Sequence, residues 1–343
     1  MSNKIDELCT VVLPTFFPGD EIFKNIKSIP SELNILIIDN SYNDNLKYKI
    51  KNYSNCIYFN IGDVGLGKTF NYALKKVKTP YMLLTQPDVI LRKDCIKNLI
   101  IGLEKYKNAG MVVPIVYDNY KYSKYDFYDL KYSKQKKEFL YKKNKKQVSQ
   151  FPSGDFCVDA VNATTMLIKV DALNKIGGWD NNIYVYLEDI DICLRLTLNG
   201  FNIIKISNAI VDHKGWSSHF DEIKSSMNIS RVWHFTWSSL YFDNKFCRKS
   251  MVLKKITKLI FLCLVKNIFN LLLFTASLTA SLTSSELVCL FEVNVRSIIE
   301  TFDVGTRTAT PLSFPLNSGR TLATASAAPV EVGIIFTAAA LAR

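Results

Sequence analysis

Four acidic positions and a histidine follow one another along this chain, each where an apolar run ends or a helical pattern begins. Asp39 closes residues 34–39 (NILIID), and Asp88 closes residues 81–88 (YMLLTQPD). Glu188 and Asp189 open a helical pattern within residues 186–191 (YLEDID), and His213 closes residues 209–213 (AIVDH). In an open α/β sheet the carboxyl ends of the strands border the ligand crevice. Carboxylates collected there suit a divalent cation on a diphosphate and a general base for an attacking hydroxyl. Each residue has a plainer alternative. Asp39 and Asp88 also fit turns at strand ends, Glu188 and Asp189 fit acids opposing a helix macrodipole, and His213 fits a satisfied structural histidine. Asp191 is spaced to pair with Arg195 four residues on.

The elements that must position these residues alternate. Apolar runs of strand length occupy residues 9–14, 34–39, 81–85 and 110–116, with a weaker one at 56–60. Helical periodicity covers residues 68–78, with Phe70, Ala73, Leu74 and Val77 on one face, and residues 94–107, with Ile96, Leu99, Ile100 and Leu103. Further on come a strand at 164–170, a short helix near 171–176, a helix over 188–199 ended by Gly200, and two strands near 201–206 and 209–212. This alternation predicts an α/β domain built on a mixed, mostly parallel sheet with helices on both faces. Residues 117–150 are rich in Tyr and Lys, which reads as a solvated insertion or as an acceptor-binding flap.

The domain expectation is therefore 1–220, which the insertion (117–150) divides into residues 1–116 and 151–220. A helical extension follows at 221–274. There, Lys254, Lys255 and Lys258 precede an apolar stretch interrupted by Lys266, Asn267 and Asn270, a pattern of an in-plane interfacial helix or of a core-packed one. Lys266 is the last lysine and Tyr241 the last tyrosine; Ala, Thr and Ser dominate thereafter. Residues 275–343 are accordingly expected to be foreign to the domain, and no chemistry is assigned to them.

Composition narrows the function classes. The 343 residues are 48% hydrophobic, enough for a sizeable core, and the net charge is +12. A basic balance suits phosphorylated substrates or an anionic membrane surface. It also suits nucleic acid, but no recognition motif accompanies it, and no nucleic-acid partner is expected. Eight cysteines without a CxxC pair point to reduced thiols rather than a zinc site or a disulfide framework. Reduced thiols suit a cytoplasmic setting, and no secretory signal pattern is visible.

Residues 62–69 (GDVGLGKT) match the P-loop pattern GxxxxGK[ST] between a strand and a helix. Two strand units precede it, where a P-loop ordinarily follows the first strand. The downstream run ends in Thr85-Gln86-Pro87-Asp88 rather than in an apolar Walker-B strand. A glycine-rich turn that lets the helix at 68–71 approach a bound nucleotide is the better reading.

Taken together, these segments resemble family 2 glycosyltransferases of the GT-A fold (a Rossmann-like nucleotide-diphospho-sugar transferase fold), nearest the bacterial rhamnosyltransferase-like members. The resemblance rests on residues 11–16 (VVLPTF), 36–41 (LIIDNS), 60–65 (NIGDVG) with 71–73 (NYA), 84–89 (LTQPDV), 163–168, 176–180 (IGGWD), 188–195 (EDIDICLR), Gly200 and His213. It implies an inverting transfer from a nucleoside-diphosphate sugar to a glycan or lipid-linked acceptor in bacterial surface polysaccharide synthesis, whether O-antigen, lipopolysaccharide or capsule. It also implies peripheral association with the inner face of the cell membrane. By the same resemblance residues 1–116 are a nucleotide-binding half and residues 151–220 an acceptor half, and Pro14, Thr15, Asp39, Lys68 and Asp88 contact the donor nucleotide. Asp88 and His213 hold a divalent cation, Mg or Mn, and Trp179 and Asp180 meet the acceptor. Asp189 is the general base, with Glu188 beside it. Two departures stand out. Gln86 replaces the first acid of a strict DxD, so the cation rests on fewer protein ligands, and residues 231–239 lack the Arg-Asn pair found in relatives. A P-loop NTPase and a catalytically impaired nucleotide-sugar-binding relative are the alternatives.

Overall fold

A computed structural model describes residues 5–42, 44–118, 121–122, 127–133, 138–142, 154–214, 224–247 and 249–279. In chain order the elements are α1 (Ile5–Leu8), β1 (Cys9–Thr15), α2 (Glu21–Ser28), β2 (Ile35–Asp39), α3 (Asn45–Ile50), β3 (Cys56–Asn60), α4 (Leu66–Leu74), β4 (Tyr81–Thr85), β5 (Val89–Leu91), α5 (Cys95–Lys105) and β6 (Ala109–Asp118). They continue with β7 (Lys121–Tyr122), β8 (Phe127–Ser133), β9 (Glu138–Lys142), β10 (Phe156–Val158), β11 (Ala160–Val161), β12 (Thr165–Lys169), α6 (Val170–Lys175), α7 (Glu188–Leu198), β13 (Asn202–His213), α8 (Lys224–Phe246) and α9 (Lys249–Thr279).

The main sheet runs β10-β13-β6-β12-β4-β1-β2-β3, with β5 added to β13 and β7 to β6. Strands β1, β2, β3 and β4 are mutually parallel where they pair, as are β6 and β13. Strand β12 lies antiparallel between β4 and β6. Two reversals restore direction, so β6 and β13 run the same way as β4. The carboxyl ends of all six strands therefore form one edge, which answers the α/β expectation of a mixed sheet. Strands β8, β9 and β11 make a separate three-stranded sheet, and the remainder of the Tyr/Lys-rich insertion lies outside the described residues.

Strands β1 and β2 are buried along almost their whole length, as strands covered on both faces must be. Period-2 alternation divides their side chains between the faces. Val11, Leu13, Ile35 and Ile37 join Ile22 and Ile26 of α2 and Ile96, Leu99 and Leu103 of α5 in one core cluster. On the other face α4 packs on β1 and β2, burying Phe70 and Ala73. Each such fully buried aliphatic or aromatic side chain contributes about 1.5–3 kcal/mol. The two strands expected near 201–206 and 209–212 are one, β13, with an irregularity between Ile206 and Ile210. Ser207 and Asn208 interrupt the apolar pattern there, and the bulge absorbs them without ending the strand.

Contacts divide the chain into two units, Met1–Met227 and Asn228–Arg343. Within the second, Val252 and Ile256 of α9 are buried with Leu240 of α8, and Leu259 and Ile260 pack on them. No helix among the described residues is long and apolar enough to cross a membrane. The atypical tail beyond Thr279 lies outside the described residues.

Candidate active site

The parallel register aligns Thr15, Asp39 and Asn60 as neighbours at the carboxyl edge of β1, β2 and β3. Asp39 is fully buried. Its Oδ1 accepts from the Ser41 amide at 2.9 Å and the Ser41 hydroxyl at 2.6 Å, and its Oδ2 accepts from the Tyr58 hydroxyl at 2.7 Å. Burial, followed by the neighbouring carboxylates, pushes the Tyr58 hydroxyl well above its usual range, so it stays a donor. Tyr58 also lines a cleft of about 700 Å³ with Tyr42, Asp44, Lys47, Phe59 and Asn60. Pro14 and Thr15 are the last two residues of β1, and the buried Thr15 Oγ1 has no hydrogen-bond partner among the described residues. Asn40, which sequence reading did not single out, accepts from the buried Thr69 hydroxyl at 2.8 Å.

Asp88 follows β4 in a turn leading into β5 and is 2% exposed. Asn25 of α2, fully buried, braces this turn by donating from Nδ2 to the carbonyls of Gln86 (3.1 Å) and Val89 (2.7 Å). The pairing of β5 and β6 with β13 places His213 beside Val89 and Asp118. His213 Nε2 lies 3.7 Å from Asp88 Oδ1, while Nδ1 lies 2.9 Å from Asp118 Oδ1. Asp118 escaped sequence reading because it opens the Tyr/Lys-rich segment; the register of β6 against β13 is what reveals it. In the tautomer with the proton on Nδ1, the Asp118 carboxylate accepts it and the Nε2 lone pair faces Asp88. Among the described residues no group of three or more His, Cys, Asp or Glu is placed to hold a metal. One carboxylate plus one imidazole still fits a cation that takes its remaining ligands from substrate phosphates and water.

Glu188 and Asp189 open α7. Asp189, half-buried, accepts from the Ala163 amide at 3.1 Å through Oδ2 and from its neighbour Ile190 at 2.8 Å through Oδ1. The adjacent Thr164 carbonyl accepts from the Gln86 amide at 3.1 Å, two residues ahead of Asp88. A single backbone bridge, residues 163–164, thus joins Asp189 to the Asp88 turn. Burial raises the Asp189 carboxyl above the ordinary aspartate range, opposed by those two amides. Glu188 is 5% exposed, and its Oε2 is buried without a partner among the described residues. Burial first, then the charge of Asp189, pushes it from 4.5 up to about 8.

A folded-state value above the unfolded one means that only the unfolded chain loses this proton between those limits. Stability is therefore expected to fall as pH rises through that window. Glu188→Gln should remove this loss, so thermal melts at about pH 5 and about pH 8 should show the variant gaining on the wild type by up to about 1.4 kcal/mol per pH unit. A difference between the two proteins that is independent of pH would refute it. Asp191 is fully buried and pairs with Arg195 (Nε–Oδ2 2.7 Å), as its spacing predicts.

The glycine-rich segment before α4 packs against residues 180–184. The Leu66 amide donates to the Tyr184 carbonyl at 2.6 Å, and a Cβ on Gly67 would lie 2.5 Å from the Asp180 carbonyl oxygen. Gly65 and Gly67 have no room for a side chain, which lets α4 meet residues 180–184. The Leu66 amide, one that a P-loop would offer to a phosphate, is thereby taken up by a protein carbonyl. Lys68 is exposed in the first turn of α4. Trp179 is 3% exposed, its ring 5.1 Å from that of Phe70. It has no exposed face for a sugar, and the acceptor contact expected of it gives way to packing. Asp180 caps its own turn, accepting from the Asn182 amide at 2.9 Å.

Residues 10–161 match the family described as "Glycosyl transferase family 2". The chain is similar to the rhamnosyltransferase WbbL of Escherichia coli (strain K12), 25% identical over 236 residues that cover 66% of this chain and 88% of that one. Among solved structures it resembles GalNAc-T7 with UDP, GalNAc and Mn2+ (TM-score 0.49, 15% identity, 68% of this chain and 50% of that one). It also resembles S. aureus TarS 1-349 (TM-score 0.45, 13% identity, 74% and 79%).

Proposed function

We propose that this chain, a family 2 glycosyltransferase by the match over residues 10–161, is an inverting enzyme that moves a sugar from a nucleoside diphosphate to a hydroxyl of a glycan or lipid-linked acceptor. The observation that carries this reading is the 163–164 bridge. It ties Asp189, a carboxylate of raised basicity, to the turn that presents Asp88.

Tyr58 and Thr15 bind the nucleoside at the strand edge, where buried Asp39 fixes the Tyr58 hydroxyl, with Pro14 near the end of the strand and Lys68 near the diphosphate. Asp88 and His213 would hold a divalent cation, Mg or Mn, which when bound neutralises charge on the departing diphosphate. Asp118 orients His213 for that role. Asp189 takes the proton of the acceptor hydroxyl as its oxygen attacks the anomeric carbon. The bond to the diphosphate breaks on the opposite face, so configuration inverts. Glu188, neutral below about pH 8, supports Asp189 without competing for the same proton, and Asp180 lies on the acceptor side. The likeness to a rhamnosyltransferase makes a rhamnosyl donor the first to try and bacterial surface polysaccharide the acceptor class. Radiolabel transfer from a panel of nucleotide sugars to a membrane-lipid extract tests the reading. Binding of a donor without transfer from any of them would instead identify a non-catalytic relative.

The setting we propose is the cytoplasmic face of the membrane. Opposite the packed side of α9, Leu253, Phe261, Leu262, Leu264, Val265 and Ile268 are exposed, with Lys254 and Lys258 exposed nearby. Lysines near an anionic surface contribute about 1 kcal/mol each. The protein is expected to co-sediment with vesicles containing anionic lipid, and the double variant Phe261→Glu/Leu264→Glu to remain in the supernatant. Equal sedimentation of the two proteins would exclude α9 as the docking element.

A further inference from the structure

The segment that imitates a P-loop makes an unusual set of ties to the residues that precede the Glu188-Asp189 pair. Asn71 of α4 grips the Trp179 peptide on both sides: its Oδ1 accepts from the Trp179 amide at 2.9 Å, and its Nδ2 donates to the Trp179 carbonyl at 2.8 Å and to Asn181 Oδ1 at 2.8 Å. One turn earlier the Leu66 amide donates to the Tyr184 carbonyl. Gly65, at φ +82, is the close approach: a Cβ there would lie 2.6 Å from Tyr184 Cδ2 and 2.7 Å from its carbonyl oxygen. No side chain fits, so the ring of Tyr184 lies directly on backbone.

At the end of that ring the Tyr184 hydroxyl donates to Asp63 Oδ1, and the Tyr42 hydroxyl donates to Asp63 Oδ2 at 2.8 Å. Tyr42 lines the cleft beside Tyr58, whose hydroxyl reaches Asp39. Beyond Tyr184 the chain makes two consecutive left-handed residues, Tyr186 (φ 67) and Leu187 (φ 66), and Leu187 is the N-cap of α7. Non-glycine residues hold such a conformation only where their surroundings impose it.

We propose that residues 62–71 are the platform that sets the Glu188-Asp189 turn, and that Asp63, clasped by Tyr42 and Tyr184, is a positioning residue. It ties the donor-side edge to the acceptor-side carboxylates. Asp63 need not touch a reacting atom. Its carboxylate fixes Tyr184, Tyr184 fixes the entry to α7, and the entry fixes Asp189. The platform rests on the transferase reading for its purpose, but its geometry is independent of which sugar is moved. Misplacing a catalytic group by about 1 Å costs about 100-fold in rate.

The test uses Tyr184→Phe, which keeps the ring on Gly65 and removes only the hydroxyl, and Asp63→Asn. Both are expected to lower kcat by about 10- to 100-fold. The donor KM should stay within about twofold, and Tm within about 2 °C of wild type. Turnover unchanged by both variants would overturn the proposal. So would a loss carried entirely by donor KM, which would make Asp63 a donor ligand instead. Hydrogen exchange of peptides covering residues 183–192, measured without substrate, separates this proposal from the transferase reading. Faster exchange in Tyr184→Phe supports the clasp even if no donor on the panel is used. Exchange identical to wild type removes the clasp even if transfer is robust.

Discussion

Asp189→Asn is expected to lower kcat by about 10²- to 10⁴-fold, the range that a positioned general base supplies. The substitution preserves size and one carbonyl-type oxygen, so one of the two backbone amides, Ala163 or Ile190, keeps its acceptor. The carboxylate's second oxygen is replaced by an amide nitrogen that cannot take a proton. Donor KM is expected to stay within about twofold, because the loss falls on the transition state and not on ground-state binding. A pH profile supplies a second readout. Burial raises the Asp189 carboxyl above the ordinary aspartate range. The wild-type rate should therefore fall on the acid side at a pH above that of an exposed aspartate, as the base becomes protonated. The residual rate of Asp189→Asn should lack that limb. Full turnover in the variant would take the base role away from Asp189 and turn attention to Glu188.

Asp88→Asn is the second large effect. Asp88 Oδ1 lies 3.7 Å from His213 Nε2, and Asp118 Oδ1 lies 2.9 Å from His213 Nδ1. Removing an outer partner that orients a ligating histidine costs about 10- to 100-fold in metal affinity or activity. Asp118→Asn is expected to lose activity within that range, and Asp88→Asn to lose more than about 100-fold, since Asp88 contributes the only carboxylate expected on the cation. Gln86 stands where a second acid would otherwise share the load. Manganese binding followed by electron paramagnetic resonance in the presence of a nucleoside diphosphate gives a readout that does not depend on turnover. Wild-type affinity in Asp88→Asn, or transfer undiminished by a chelator, would show that the diphosphate leaves without a cation held at this edge.

Much of the fold was legible because its local signals agree with one another. The buried strands β1, β2 and β4 are continuous apolar runs, and α4 and α5 carry apolar residues at helical spacing. Asp39, Asp88, Glu188, Asp189 and His213 stood out because each terminates or opens such a run. Asp118 and Asn25 did not, because each matters only through a partner distant in sequence: Asp118 through the register of β13, and Asn25 through the turn it braces across the sheet.

Trp179 and the glycine-rich loop show the opposite limit. A tryptophan after Gly177-Gly178 reads equally well as a sugar platform or as core, and GDVGLGKT reads equally well as a phosphate cradle or as a packing surface. Local sequence is the same in both cases. What separates them is which backbone arrives opposite, and here residues 179–184 fill the space against Gly65, Gly67 and Phe70.

By itself, then, the sequence determined the order of strands and helices, the strand-end placement of the acids and the family to which the pattern is similar. Periodicity and chain direction are local properties that a linear string records. Only the tertiary structure decided that β12 reverses between β4 and β6, bringing six carboxyl ends to one edge. It also decided that Asp118 backs His213, that residues 163–164 join Asp189 to the Asp88 turn, and that the loop resembling a P-loop holds residues 179–184. These depend on pairings between residues far apart in the chain, which form only when burial of the two faces of the sheet selects one register.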